Sequence, residues 1–180
     1  MDKSMLTTLG RNLQKLRLAK GCSLSKLAAD AGIAKSNLSR LEQGTGNPTV
    51  DTIWRLAVEL DVPFGSLVAS VTTPFGDEGV QFKLIEQGTD NPQVDAYWMS
   101  MAPHSERISE PHSSGATESV TIISGQLEIT TEGKTTILKA GDRFSFDADK
   151  AHEYRTDDLW STLLLTITYA ERGESNEHSG

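Results

Sequence analysis

Residues 23–44, SLSKLAADAGIAKSNLSRLEQG, decide the fold of the first part of the chain. Leu24, Leu27, Ala28 and Ala31 recur at helical spacing, Gly32 breaks the run, and Leu38 and Leu41 repeat the period in a second helix. Ser23 is placed to N-cap the first of these helices, and Gly32 and Gly44 to end the two. Outward from this pair the punctuation continues. Leu9, Leu13 and Leu16 form an earlier run closed by Gly21, Pro48-Thr49 opens a run through Ile53, Leu56, Ala57 and Leu60, and Pro63 starts a short fifth helix in PFGSLV. Five short helices predict a compact all-α domain over residues 1–70.

Beyond residue 70 the pattern changes to strands. VQFKLIEQ (80–87), VDAYWMSM (94–101), SVTIIS (119–124), QLEITTE (126–132), TTILKA (135–140), RFSFDA (143–148), HEYRT (152–156) and TLLLTITY (162–169) are β-rich runs separated by turn residues. Gly125, Glu132-Gly133-Lys134 and Gly141-Asp142 supply turns. Eight strands at this spacing predict a β-barrel of jelly-roll type, closed or double-sheet, over residues 80–170. Segment 71–79 (VTTPFGDEG) reads as a linker and 171–180 as a polar tail. The fold class is therefore α+β, in two domains.

Charge divides along the same boundary. The net charge is −8, but residues 1–70 carry nine Lys/Arg against six Asp/Glu and residues 71–180 carry eight against nineteen, a net of +3 and of −11. A cationic first domain suits phosphate, and an anionic second domain must face away from it. The single cysteine, Cys22, excludes an intramolecular disulfide and a cysteine zinc finger. The chain has no run of 18 apolar residues, and MDKSMLTTLGR has no apolar signal core, so a cytoplasmic protein without a membrane partner is expected.

The second helix of the opening pair presents Lys35, Ser36, Asn37, Arg40 and Gln43 on the side opposite Leu38 and Leu41. Small and hydrogen-bonding side chains on one helix face suit insertion into a DNA major groove, although spacing alone is equally met by a solvated helical hairpin. The wider stretch resembles the XRE-type, lambda-repressor-like helix-turn-helix domains, above all in LSRLEQGTGNPTVDTIWRLAVELDV (38–62), which carries the family's S-x-x-E-x-G-x-x-x-P signature. The resemblance implies that Arg17 pairs with Glu42 to tie the first helix to the recognition helix. It further implies that Lys35, Ser36 and Arg40, with Asn37 adjacent, meet base edges. Ser25, Ser39 and Asn47 are candidate phosphate contacts. Leu24 stands where the family often has Gln, which removes one expected contact.

The strings PHSSGATESVTIISG (111–125) and GDRFSFDADKAHEYRT (141–156) resemble the two motifs of cupin barrels, the double-stranded β-helix fold. The first motif falls on His112, Glu118 and Gly125, and the second on Gly141 and His152, with Asp147 in place of Pro. Ser114 stands where metal-binding cupins have a second His. The resemblance implies a ligand set of His112, Glu118 and His152 for one divalent metal ion, Zn, Fe, Mn or Ni; the alternative is an apo pocket in which the histidines only hydrogen-bond. Trp98, Met99, Met101, Ile122, Phe144, Phe146, Tyr154 and Trp160 are expected on the barrel's inner wall, and Glu106, Arg107 and Glu110 as a lid or the polar end of a ligand site.

Together the two resemblances imply a ligand-responsive transcriptional regulator, a repressor, binding double-stranded operator DNA as a homodimer on palindromic half-sites about 34 Å apart. A small metabolite or metal in the cupin domain would set its operator affinity. Two alternatives remain at this point: a cupin dioxygenase or isomerase on a DNA-binding head, and a DNA binder whose barrel only dimerises.

Overall fold

The computed structural model describes residues 3–77 and 79–170. Five helices come first: α1 (Lys3–Ala19), α2 (Leu24–Asp30), α3 (Lys35–Glu42), α4 (Val50–Leu60) and α5 (Phe64–Val68). Their ends follow the expected chemistry. Ser23 Oγ accepts from Lys26 N at 3.1 Å and Thr49 Oγ1 from Thr52 N at 3.2 Å, each satisfying a backbone donor that the helix itself leaves unpaired. Leu9, Leu13, Leu27, Leu38, Ile53 and Leu56 form the centre of the helical core.

Ten strands follow: β1 (Phe75–Asp77), β2 (Val80–Gln87), β3 (Val94–Met101), β4 (Glu106–Ser109), β5 (Thr117–Ser124), β6 (Gln126–Thr131), β7 (Lys134–Lys139), β8 (Arg143–Asp147), β9 (His152–Arg155) and β10 (Ser161–Thr168). Eight of them were legible as sequence runs. The short edge strands β1 and β4 were not, since three or four residues carry too little alternation. The strands form two sheets, β1-β2-β3-β10-β5-β8 and β4-β9-β6-β7. Of the closed and double-sheet forms expected, the strands take the double-sheet one, a two-sheet, cupin-like domain: among the described residues, no strand pair joins one sheet to the other, and closure of the barrel is not seen. The chain passes between sheets at Gly125, whose φ of 82° and close approach to the Trp160 carbonyl leave no room for a Cβ.

Strand alternation corrects the inner wall as well. Met99, Met101, Ile122 and Tyr154 are buried as expected, and Phe144 and Phe146 pack against the core from partly buried positions. Trp98, adjacent to Met99, must point the other way, and both it and Trp160 are exposed. The helices and sheets share one hydrophobic core. Phe64 of α5 meets Phe75 and Tyr97 at ring-centroid distances of 6.0 and 5.8 Å. Within the expected linker, Val71 and Phe75 are buried, and Phe75–Asp77 pair with β2. The buried carboxylate of Asp95 accepts from Gly65 N and Tyr97 Oη, both at 3.0 Å. The expected tail, 171–180, lies outside the described residues.

Candidate functional site

The helical part presents a polar face. Lys35, Ser36, Asn37 and Arg40 are exposed along α3, while Leu38 and Leu41 are buried beneath them. Ser25 and Asn47 are exposed nearby; Ser39 is half-buried, with its hydroxyl accepting from Gln43 Nε2 at 3.3 Å. Asn37, Arg40 and Asn47 line one depression of about 270 Å³, so the recognition helix and the loop after it form a continuous surface. Behind this face Arg17 grips Glu42, Nε to Oε1 at 2.5 Å and Nη2 to Oε2 at 2.9 Å, and Nη1 donates to the Cys22 carbonyl. Glu42 holds the guanidinium pKa above its ordinary value, against the opposing effect of burial. Other basic residues of this domain also have internal partners: Lys20 Nζ donates to Glu59 O and Lys26 Nζ to Asp30, each at 2.8 Å, and Arg40 Nη2 lies 3.5 Å from Thr45 O.

The sheets assemble the second site. His112 before β5, Glu118 on β5 and His152 on β9 are buried together, with their donor atoms within 4.8 Å of one another. Glu118 Oε2 lies 3.1 Å from His112 Nε2 and 3.3 Å from His152 Nε2, and its other oxygen accepts the Tyr154 hydroxyl proton. Burial pushes the Glu118 carboxyl up, but the two histidines outweigh it and hold the group well below the usual carboxylate range. His152 Nδ1 lies 2.9 Å from the Lys150 carbonyl. A proton on Nδ1 makes that hydrogen bond and turns the Nε2 lone pair toward the carboxylate, where Nε2 has no hydrogen-bond partner. Either a second proton or a divalent cation relieves this opposition. Burial lowers the His152 pKa, but Glu118 more than offsets it and leaves it raised, which favours the proton when no ion is bound.

The donor set fits a divalent metal. Two imidazoles and a carboxylate converge, and His152 has the outer backbone-carbonyl partner usual for a metal-ligating histidine. Ser114 is not part of the cluster; it is exposed and lines a surface cleft of about 510 Å³ with Asp61, Asn91 and Tyr169.

What covers the triad was not foreseen. Trp54 of α4 stacks on His112, ring centroids 3.9 Å apart and planes 15° apart, and on its other contact meets Phe64 at 4.1 Å. Asp51, one turn earlier, pairs with Arg107 of β4 at 2.9 Å. Arg55 Nη1 donates to Ala31 O at the α2–α3 turn, and its Nε lies 3.7 Å from Glu110. Arg107 and Glu110, expected as a lid or the polar end of a ligand site, thus meet Asp51 and Arg55 of α4. The available signal was Trp54 itself, a large aromatic outside the Ile53/Leu56/Ala57/Leu60 stripe.

Comparison with known proteins agrees with both parts. Residues 13–67 match the helix-turn-helix family and residues 97–167 the cupin domain family. The HTH-type transcriptional regulator SutR of Escherichia coli K12 is 35% identical over 153 residues, covering 82% of this chain and 86% of that protein. The chain belongs to the XRE-type helix-turn-helix transcriptional regulators with a cupin domain. An HTH_3 family transcriptional regulator from Vibrio cholerae shares this regulator's fold, with a TM-score of 0.85 at 21% identity over 95% of this chain and 100% of that one. The cupin domain of an XRE family regulator from Enterobacter cloacae superimposes with a TM-score of 0.50 at 26% identity, over 52% of this regulator and 100% of that domain. Among the described residues, no helix of the regulator is long and apolar enough to cross a membrane.

Proposed function

We propose that this regulator is a cytoplasmic, homodimeric repressor that reads a palindromic operator, and that a small metabolite or a divalent metal ion in the cupin domain sets its operator affinity. The two sheets are read as the halves of a double-stranded β-helix. Lys35, Ser36, Asn37 and Arg40 read bases, and Ser25, Ser39 and Asn47 hold phosphates. His112, Glu118 and His152 would hold the metal, which when bound supplies a fixed positive charge at the buried carboxylate.

The observation that carries this reading is the stack of Trp54 on His112. Trp54 belongs to α4, whose neighbour Arg55 holds the α2–α3 turn through Ala31 O, and it covers the His112 ring of the triad. The indole lies against one face of the His112 ring, so a ligand that shifts this imidazole presses on the indole and, through it, on α4. Occupancy of the site and the pose of the DNA-binding helices are then two readings of one contact, the requirement for coupling between sites.

The test starts by selecting duplexes from a random library with the full-length protein, then measures anisotropy of a selected duplex with EDTA and with Zn(II), Mn(II), Ni(II) or anaerobic Fe(II). A palindromic consensus and a shift in affinity of about 5- to 150-fold by one of these ions are expected. No enrichment would remove the DNA-reading assignment. An enriched operator whose affinity responds neither to these ions nor to a fractionated metabolite extract would remove the effector assignment alone.

A further inference from the structure

The outward faces of the two sheets differ in kind. On the four-stranded sheet Glu106, Arg155 and Glu128 form one cross-strand row and Glu153 stands in the next, so the exposed Ile108 and Ile137 of that face are set among charges. On the six-stranded sheet every outward position of the three central strands β3, β10 and β5 is uncharged, from Val94 to Ser100, Thr162 to Thr168 and Thr117 to Thr121. Trp98 stands near the middle and is 39% exposed, with Ile85 and Ile123 exposed at the rim. In a domain of such acidity, a charge-free sheet face centred on an exposed tryptophan has the composition of an interface core. The helices leave it open: their contacts fall on inward residues such as Tyr97 and Asp95.

We propose that this face binds the same face of a second copy of the chain, with the two-fold axis running across the strands at the level of Tyr97. The register supports that operator. Lys83, Trp98, Leu164, Thr121 and Arg143 share one cross-strand row, and Glu86, Ala96, Thr166, Ser119 and Ser145 the next on the same side of the sheet. Rotation about an axis between the rows places each Trp98 over Ala96 of the second copy, a large side chain opposite a small one. The same rotation places Lys83 over Glu86, and Arg143, whose Nε donates to Ser119 Oγ at 2.8 Å, over the uncharged Ser145. The charges on the β2 rim are then complementary, whereas an axis along the strands would set Lys83 against Arg143.

Size agrees as well. Five strands at ~4.8 Å spacing and ~26 Å in length span roughly 600 Å² in projection. This is on the scale of the ~800 Å² each partner contributes to a stable interface. The inference deepens the dimer in the reading above but needs no DNA, so failure of operator binding leaves it standing, and its own failure leaves the DNA-reading assignment intact.

Sedimentation equilibrium of the full chain without DNA tests it. The wild type is expected at twice the chain mass, and Trp98→Glu at the monomer mass with an unchanged far-ultraviolet spectrum. Lys83→Glu, an exposed substitution that spares the core, should weaken the dimer at least about tenfold because the two-fold axis repeats the like-charge contact. Lys83→Glu with Glu86→Lys should restore it. A monomeric wild type would overturn the proposal. So would a dimer that tolerates both Trp98→Glu and Lys83→Glu, or a double variant no better than the single, since the partner would then lie elsewhere. If Trp98→Glu fails to fold, the two lysine variants decide alone.

Discussion

The indole of Trp54 and the imidazole of His112 lie face to face, 3.9 Å between centroids and 15° between planes. One ring belongs to the helix-turn-helix domain and the other to the cupin triad, so a single contact joins the part that reads DNA to the part that can hold a ligand. Around it, Asp51–Arg107 and Arg55–Glu110 fix α4 to the sheet from both sides. Asp51 also sits in the first turn of α4, where the helix dipole favours a negative charge.

Removing the roof should cost both stability and coupling. Trp54→Ala deletes a largely buried aromatic and is expected to lower unfolding free energy by about 3–5 kcal/mol. Urea titration reads the loss, and Trp54→Phe should recover most of it. Any dependence of operator affinity on added metal should weaken in both variants, as anisotropy would show.

Arg17 and Glu42 make a two-pronged pair with side chains only 11% and 6% exposed. Breaking it from either end, by Arg17→Met or Glu42→Leu, should cost on the order of 3–5 kcal/mol, because the partner stays buried and uncompensated. The double variant should be more stable than either single one, which a thermal-melt cycle would detect.

Arg40→Ala is expected to cost about 1–3 kcal/mol in operator affinity and to relax preference at one base pair. Lys20→Ala and Lys26→Ala should change affinity less, because both ammonium groups already have intramolecular partners. Footprinting and a salt titration of each variant separate base reading from phosphate contact.

His152→Ala leaves two of three donors and should abolish stoichiometric metal uptake, measured by mass spectrometry under native conditions after metal loading and dialysis. Operator binding in EDTA should persist, since His152 contacts the sheet and not α4. Loss of DNA binding in that variant would assign the residue to folding instead.

Asp95 gives a pH signature of the opposite sense to most carboxylates. Burial raises its pKa from 3.8, despite hydrogen bonds from Gly65, Tyr97 and Gln93. A raised folded-state pKa means that ionisation disfavours folding. The penalty is full above the folded value and fades as pH falls through it toward the unfolded one. The stability of wild type relative to Asp95→Asn should therefore improve from pH 7 toward pH 4, as urea unfolding at a series of pH values would show.

Much of this molecule was written in local patterns. The helix-turn-helix could be read from the recurrence of Leu24, Leu27, Leu38 and Leu41 and from the stops at Gly32 and Gly44, because capping and helical periodicity act within a few residues. The Arg17–Glu42 pair and the His112/Glu118/His152 set were legible through the resemblance of their motifs to the two families. Strands β1 and β4 escaped because a short edge strand takes its partner from elsewhere in the chain. The outward turn of Trp98 was decidable from alternation with Met99. Which of the two faced solvent depended on the sheet.

Sequence alone determined the two domain types, the five helices and eight of the strands, and the polar face of α3, since each rests on neighbours along the chain, while resemblance to the cupin motifs named the triad. Only the tertiary structure decided that Trp54 roofs His112, that Arg107 serves α4 as a docking partner, and that the strands stop at two sheets. These contacts join residues more than fifty positions apart or depend on strand partners. They are set by how whole faces pack against one another, and local propensity does not encode that choice.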